Sequence, residues 1–376
     1  MSDGPEVNYS LITHARDLEA FVERHRDASA YALDTEFEQR TSYLPRLALL
    51  QVACDDEVAL IDPLEVTPTA LASLLDSPAT AVVHAAVNDL DLIESAVGVR
   101  PRLLLDTEIA GQLLGRPRTS LATLARDYLG VRLDKSEQTR DWLLRPLPER
   151  ALRYAALDVA YLVELADRLG EDLTACGRDD AWREESEAVR IGEDDGDGAT
   201  LWWRLKGFSR APVEVRLRGQ YLAIARDSLA RQRNVIRARI LPDDDLVELA
   251  FKPLPAHTLD STHGSETGRA FAHALDEAAQ APPDQLWPAD ADVSDGPRGR
   301  RLSLMRLIAR EVADEWSLSP ATVATHRDLV RFERGLVSRL DRPWRQRAFA
   351  NQLELLRSDQ GGLALVDDRL RVVSLT

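Results

Sequence analysis

Two acids one residue apart inside an apolar run, Tyr31-Ala-Leu-Asp34-Thr-Glu36-Phe37, constrain this chain more than any other feature. A strand turns residues two apart to the same face, so Asp34 and Glu36 point the same way. A counterpart lies far downstream in Tyr154-Ala-Ala-Leu-Asp158, where helical spacing puts Tyr154 and Asp158 on a shared face. A third acid, Asp89, stands between them in Val82-Val-His84-Ala-Ala-Val-Asn88-Asp89-Leu90. Carboxylates that converge repel, and some stay protonated unless a cation joins them. Oxygen ligands of this kind hold Mg²⁺ in phosphate chemistry. The pattern therefore points to a metal-dependent nuclease.

The bulk properties permit this reading. The 376 residues suggest two or three domains, and 44% hydrophobic with 29% charged residues is a globular composition. Two cysteines, Cys54 and Cys176, cannot make a disulfide framework, and the seven histidines show no zinc spacing. The acidic start Met1-Ser-Asp-Gly-Pro-Glu is not a secretory signal, and no apolar run approaches the ~18–20 residues of a membrane span. We expect a cytoplasmic protein with no membrane association, and nothing calls for an obligate protein partner. A net charge of −16 argues against a nucleic-acid partner only as a sum. Between Leu201 and Ile240, ten Lys/Arg face two acids, a local balance of +8.

Residues 1–190 read as α/β, with strand-like runs at Tyr31–Phe37, Leu47–Cys54, Val58–Asp62, Ala81–Ala85 and Leu103–Asp106. The stretch from Thr107 to Gly170 is mostly helical, interrupted at Pro146 and Pro148. An acidic, Gly-rich linker occupies 191–199 and a Pro-rich one 281–299. They separate helical regions at 200–280 and 300–376, which are similar in size and class.

Each element of the pattern also has a plain structural explanation. Acids are common at strand ends, Asp91 and Glu94 are alternatives to Asp89, and Tyr and Asp four apart recur by chance. His84 at a strand end reads first as a satisfied core histidine. The order and spacing of the whole set carry the weight.

At this point the chain resembles the ribonuclease D family, in the DEDDy branch of 3′→5′ exonucleases. Asp34-Thr-Glu36-Phe37 matches its first motif, His84-Ala-Ala-Val-Asn-Asp89-Leu its second, and Tyr154-Ala-Ala-Leu-Asp158 its third. Leu47-Ala-Leu-Leu-Gln51, Asp106-Thr107, Ser120-Leu-Ala-Thr-Leu and Lys135…Asp141-Trp142…Arg145-Pro146-Leu147 agree as well. The likeness covers residues ~10–190. The segment Leu201–Ala250 resembles the helicase-and-RNase-D C-terminal (HRDC) domain through Arg231-Gln-Arg-Asn234-Val and Ile240-Leu-Pro-Asp-Asp-Asp-Leu, with Ile236 where the family often has proline. Residues 300–376 resemble a second, diverged copy.

The resemblance implies an RNase H-like exonuclease domain, a mixed five-stranded sheet flanked by helices, followed by all-α HRDC-like domains. It implies that Asp34, Glu36, Asp89 and Asp158 bind two divalent ions, Mg²⁺ or Mn²⁺, while Tyr154 orients the attacking water. Asp106 is outside that set and is expected to be structural.

Other candidates are residues that would touch nucleic acid. Phe37 and Tyr43 could stack on terminal bases. Arg216, Arg218, Arg231, Arg233, Arg237 and Arg239 could track phosphates. Lys135 and Arg145 could do so too, although surface charge or a structural ion pair is the first expectation for both. Trp202 and Trp203 read as core anchors.

The leading function is hydrolysis of RNA 3′ ends, tRNA precursors included. A DNA 3′→5′ exonuclease is the rival within the class, because four carboxylates do not read a 2′-hydroxyl. A non-catalytic binding scaffold is disfavoured by the complete set of five side chains. A helicase is disfavoured by the lack of a Gly-x-x-x-x-Gly-Lys-Ser/Thr loop.

Overall fold

A computed structural model describes residues 6–40, 42–134, 136–192, 201–202, 205–208, 211–286 and 297–375. Most of the two expected linkers, together with Lys135 and Trp203, lies outside the described residues. No helix among those described is long and apolar enough to cross a membrane.

The alternating pattern of the N-terminal region builds one sheet. Its strands are β1 (Tyr9–Ile12), β2 (Ala30–Glu38), β3 (Arg46–Cys54), β4 (Glu57–Ile61), β5 (Thr80–Val83) and β6 (Leu103–Asp106). They lie in the order β1-β4-β3-β2-β5-β6. β2, β3 and β4 form an antiparallel meander, while β1 pairs parallel with β4, and β5 and β6 extend the sheet in parallel beyond β2. The expected count of five strands is thus corrected to six. The addition, β1, is a short edge strand in which Ile12 is the only buried residue, too weak a pattern to stand out in sequence.

Period two splits each strand between two cores. Ala32, Leu49, Leu60 and Val82 pack under the helices Glu149–Ala160 and Leu162–Ala175. On the other face, Tyr31, Leu33, Leu50, Ile61 and Val83 pack against Leu18, Phe21, Leu90 and Ile93. Asp34 and Glu36 continue the Ala32 face beyond the apolar part of β2, towards the helix that carries Tyr154 and Asp158.

A third core, from Trp202 to Leu286, holds the first helical unit around helix Val213–Gln232. Phe208 packs so closely on this helix that a Cβ at Gly219 would meet its ring at 2.6 Å. A fourth core, from Leu302 to Leu356, holds the second unit. This unit is helical from Pro297 to Arg357 and then closes with a hairpin, β7 (Gly361–Val366) and β8 (Arg369–Ser374), that an all-helical reading of 300–376 does not include.

Both units bear on the N-terminal domain. In the second, Trp344 joins the core beneath the sheet, its indole Nε1 donating to Glu185 at 2.7 Å and its backbone N–H to Glu184 at 2.9 Å. Arg342 and the fully buried Arg345 pair with Glu185. Arg178 bridges the same seam by donating to Leu113 and Trp316 carbonyls, both at 2.7 Å.

Candidate active site and its surroundings

β2 ends in a bulge: Glu36 pairs with Leu49 but Phe37 with Leu47, leaving Ala48 extra. The Ala48 carbonyl accepts from Arg145, which also grips Asp62 with two bonds of 2.6 and 2.8 Å. Arg145 is therefore an internal brace, as the ion-pair expectation had it.

Asp34 and Glu36 approach from β2, Asp158 from the helix Glu149–Ala160, and Asp89 from the start of helix Asp89–Val97 in the opposite layer. Thr35, on the other face of β2, donates to Asp89 and ties the two layers together. Asp91 and Glu94, the alternatives to Asp89, are occupied by Arg100.

The electrostatics are those of an uncompensated acid cluster. Burial, then Asp158, Asp89 and Glu36, hold the Asp34 carboxyl well above the usual range. Burial with Asp158 and Asp89 pushes Glu36 to about 9. Burial raises Asp158 to about 7, against the hydrogen bond donated by Tyr154. Asp89 is raised by burial and partly eased by Thr35. Burial, followed by Asp158 and Glu36, pushes the Tyr154 phenol far up, so it stays a hydrogen-bond donor. Four such groups cannot all ionise at neutral pH without positive charge among them, and hard carboxylate oxygens suit divalent ions. The one tight trio among the described residues, His25, Cys54 and Asp55, is no rival. Both His25 nitrogens are already bonded, to Asp55 and Glu57.

Asp34, Asp158 and Tyr154 border a cavity of about 320 Å³, reached also by His84, Glu108, Ser120 and Leu121. Asp106, buried behind His84, organises the backbone there. The carboxylate caps helix Thr107–Leu113, accepting from Glu108 N at 2.8 Å, and also accepts from Ala85 N at 3.0 Å and Ala86 N at 3.3 Å. It thereby holds the left-handed turn at Ala85 (φ 57°) that carries the chain from β5 to Asp89. Asp106 is structural, as expected. His84 is only half satisfied, bonding Thr107 through Nδ1 while its ring edges the cavity, which strand-end position alone did not reveal.

The expected nucleic-acid contacts need correction. Arg216 is 4% exposed, inside the first helical unit. Arg218 donates to the Ala250 carbonyl at 2.6 Å, spending its head group on helix packing. Tyr43 is engaged by the first helical unit. Its hydroxyl donates to Asp227 at 2.9 Å, and Arg231 and Arg237 flank its ring, each 5.2 Å from the centroid. Asn234, in a left-handed conformation (φ 48°), accepts from Leu44 N at 2.9 Å. The basic segment thus clasps the β2–β3 loop. Arg233 pairs with Glu266, and Arg239 is exposed. Phe37 is half-buried beside Glu36. Ile236 sits at φ −58°, a value proline would also adopt, so the departure from the family pattern leaves the backbone unchanged.

A six-stranded mixed sheet with an acid cluster fed from both layers defines a metal-dependent 3′–5′ exonuclease, and the family model described as a 3′-5′ exonuclease matches residues 9–174. Ribonuclease D of Escherichia coli K12 is 31% identical, over 86% of this chain and 89% of that protein. Ribonuclease D of Gluconacetobacter diazotrophicus is 32% identical, over 96% and 95%. The crystal structure of Escherichia coli RNase D, described as an exoribonuclease involved in structured RNA processing, superposes with a TM-score of 0.78 at 28% identity. It covers 94% of this chain and 99% of that one. The chain belongs to the ribonuclease D family, and its activity is that of a 3′–5′ exoribonuclease.

Proposed function

We propose that this chain trims structured RNA, tRNA precursors among them, from the 3′ end and releases 5′-mononucleotides. Asp34, Glu36, Asp89 and Asp158 hold two divalent ions, Mg²⁺ or Mn²⁺. The observation that carries the reading is the cluster itself: four carboxylates from three chain segments, each raised by burial or by its neighbours. Ions held by these carboxylates would supply a nucleophilic water and neutralise the charge of the departing 3′-oxygen. Tyr154, kept protonated and bonded to Asp158, positions that water and does not act as its base. Phe37 offers a ring beside Glu36 on which the terminal base stacks. Residues 1–190 form the exonuclease domain, and 200–280 and 300–376 form two HRDC-like units. The choice of RNA rests on the likeness to ribonuclease D proteins over nearly the whole chain.

Digestion of 3′-end-labelled and 5′-end-labelled RNA, with Mg²⁺, Mn²⁺ or EDTA, tests the reading. The 3′ label should leave at once as mononucleotide, the 5′ label should shorten stepwise, and EDTA should stop both. Internal cuts, or activity in EDTA, would overturn it.

A further inference from the structure

The tautomer of His84 is fixed by a chain of two hydrogen bonds. Thr107 Oγ1 has one proton, and it goes to the Val83 carbonyl at 3.0 Å. The 2.9 Å contact between Thr107 Oγ1 and His84 Nδ1 must then run the other way, with Nδ1–H as donor. Nε2 is left with a lone pair and no proton. It has no protein partner among the described residues, it is not sealed from solvent, and the ring lines the cavity beside the acids. Burial keeps the ring neutral by pulling its pKa down to about 4.

The position of the ring is equally defined. Ala32 pairs with Val82, and Asp34 and His84 each lie two residues further along these adjacent parallel strands. Neighbouring strands stand roughly 5 Å apart, so His84 is one strand away from the carboxylate at the heart of the cluster. The cavity of about 320 Å³ is at the small end of ligand pockets, a size suited to one nucleotide unit.

We propose that His84 Nε2 accepts a hydrogen bond from the 2′-hydroxyl of the 3′-terminal ribose and is the residue by which this exonuclease prefers RNA to DNA ends. The inference rests on the reading that the cavity takes the terminal nucleotide. Chemistry narrows what Nε2 can meet. A phosphate presents only acceptors, so a bare lone pair turns it away. An exonuclease that removes every base needs a donor present on every nucleotide. The terminal ribose hydroxyls are such donors, and only the 2′-hydroxyl is absent from DNA. The aligned lone pair is already oriented by Thr107, so no reorganisation is needed when the hydroxyl arrives.

The wild-type protein provides the first test. Oligoribonucleotides identical except for their last residue would end in ribose, 2′-deoxyribose or 2′-deoxy-2′-fluororibose, each with terminal adenine and with terminal uracil. Removal of the ribose end should be roughly fivefold to tenfold faster in kcat/KM than either modified end, the scale of one hydrogen bond. The fluorine keeps the size of the group but cannot donate, so it should behave as deoxy or worse. His84→Phe should bring the ribose-to-deoxy ratio close to one, and Thr107→Val, which releases the tautomer, should lower it. The ratio is informative even where a variant is slower overall. Equal rates on all three ends in the wild type, or an unchanged ratio in His84→Phe, would overturn the assignment. So would a preference seen with adenine but not with uracil, which would mean that Nε2 reads the base. A wild type that attacks none of these RNAs would instead sink the nuclease reading beneath it.

Discussion

At the scale of single residues, the acid cluster is a store of repulsion that a cation relieves. Replacing Asp34 or Asp158 with Asn removes a ligand without hollowing a core, so turnover should fall to background while the fold persists. Without metal, the variant should melt higher than wild type, by roughly 2–4 °C for each kcal/mol of repulsion relieved. Mg²⁺ should raise the melting point of the wild type and do so much less for the variant. Differential scanning calorimetry with and without Mg²⁺ measures both, and a variant that melts lower in EDTA would contradict the picture. Tyr154→Phe keeps the ring that packs 6.0 Å from Trp142 and loses only the hydroxyl. We expect kcat to drop roughly a hundredfold with RNA affinity nearly unchanged, read from single-turnover kinetics and a binding isotherm.

At the scale of elements, the catalytic domain was largely legible because its signals are periodic. Apolar runs at β2 to β6 gave strands, and Asp34, Glu36, Tyr154 and Asp158 followed from periods of two and four. What escaped was weakly patterned or set by distant partners. β1 buries a single residue. β7 and β8 turn at Asp367-Asp368, both at positive φ, where Asn-Gly would have announced a hairpin. Composition marked the arginines of 201–240 as one basic surface, but burial divides them. Arg226, 3% exposed, bonds the Leu241 carbonyl and Asp243 at the foot of helix Asp243–Phe251. No count of charges distinguishes an arginine that braces a core from one that meets phosphate. Arg237→Ala should therefore loosen the clasp on the β2–β3 loop while leaving the log–log salt slope of RNA binding nearly unchanged. Arg239→Ala should flatten that slope by up to roughly 0.7–0.9 if it holds one phosphate. Hydrogen exchange at residues 42–46 reads the first, and affinity at several salt concentrations reads the second.

At the scale of the whole molecule, Glu185 fastens the second helical unit to the exonuclease domain. Burial would raise its carboxyl, but Arg345, Arg342 and Arg339 outweigh that and hold it at about 2. Arg345 is itself pulled down to about 10, because burial outweighs the one anion it shares with two other guanidiniums. The direction at Glu185 is the one that reports the pairing, since three cations converge on a single acid. A depressed folded-state pKa means that the stabilisation is complete above about 4.5, the ordinary glutamate value, and drains as pH falls towards 2. Unfolding followed between pH 5 and 2 should show the second unit releasing in that window. Glu185→Gln should release it at neutral pH, at a cost of about 3–5 kcal/mol for the stranded arginines. Cutting the chain after residue 199 should likewise lower the melting point of the nuclease, which loses Trp344 from its core. The clasp on Tyr43 has a consequence for anyone who dissects this protein. A fragment of residues 200–286 would carry Arg231 with its aromatic partner gone, while Arg237 would keep its pairing with Asp227. Filter binding on the fragment and on the full chain should differ, with the fragment holding RNA more tightly and more salt-sensitively. An affinity measured on the piece would then belong to the dissection and not to the enzyme.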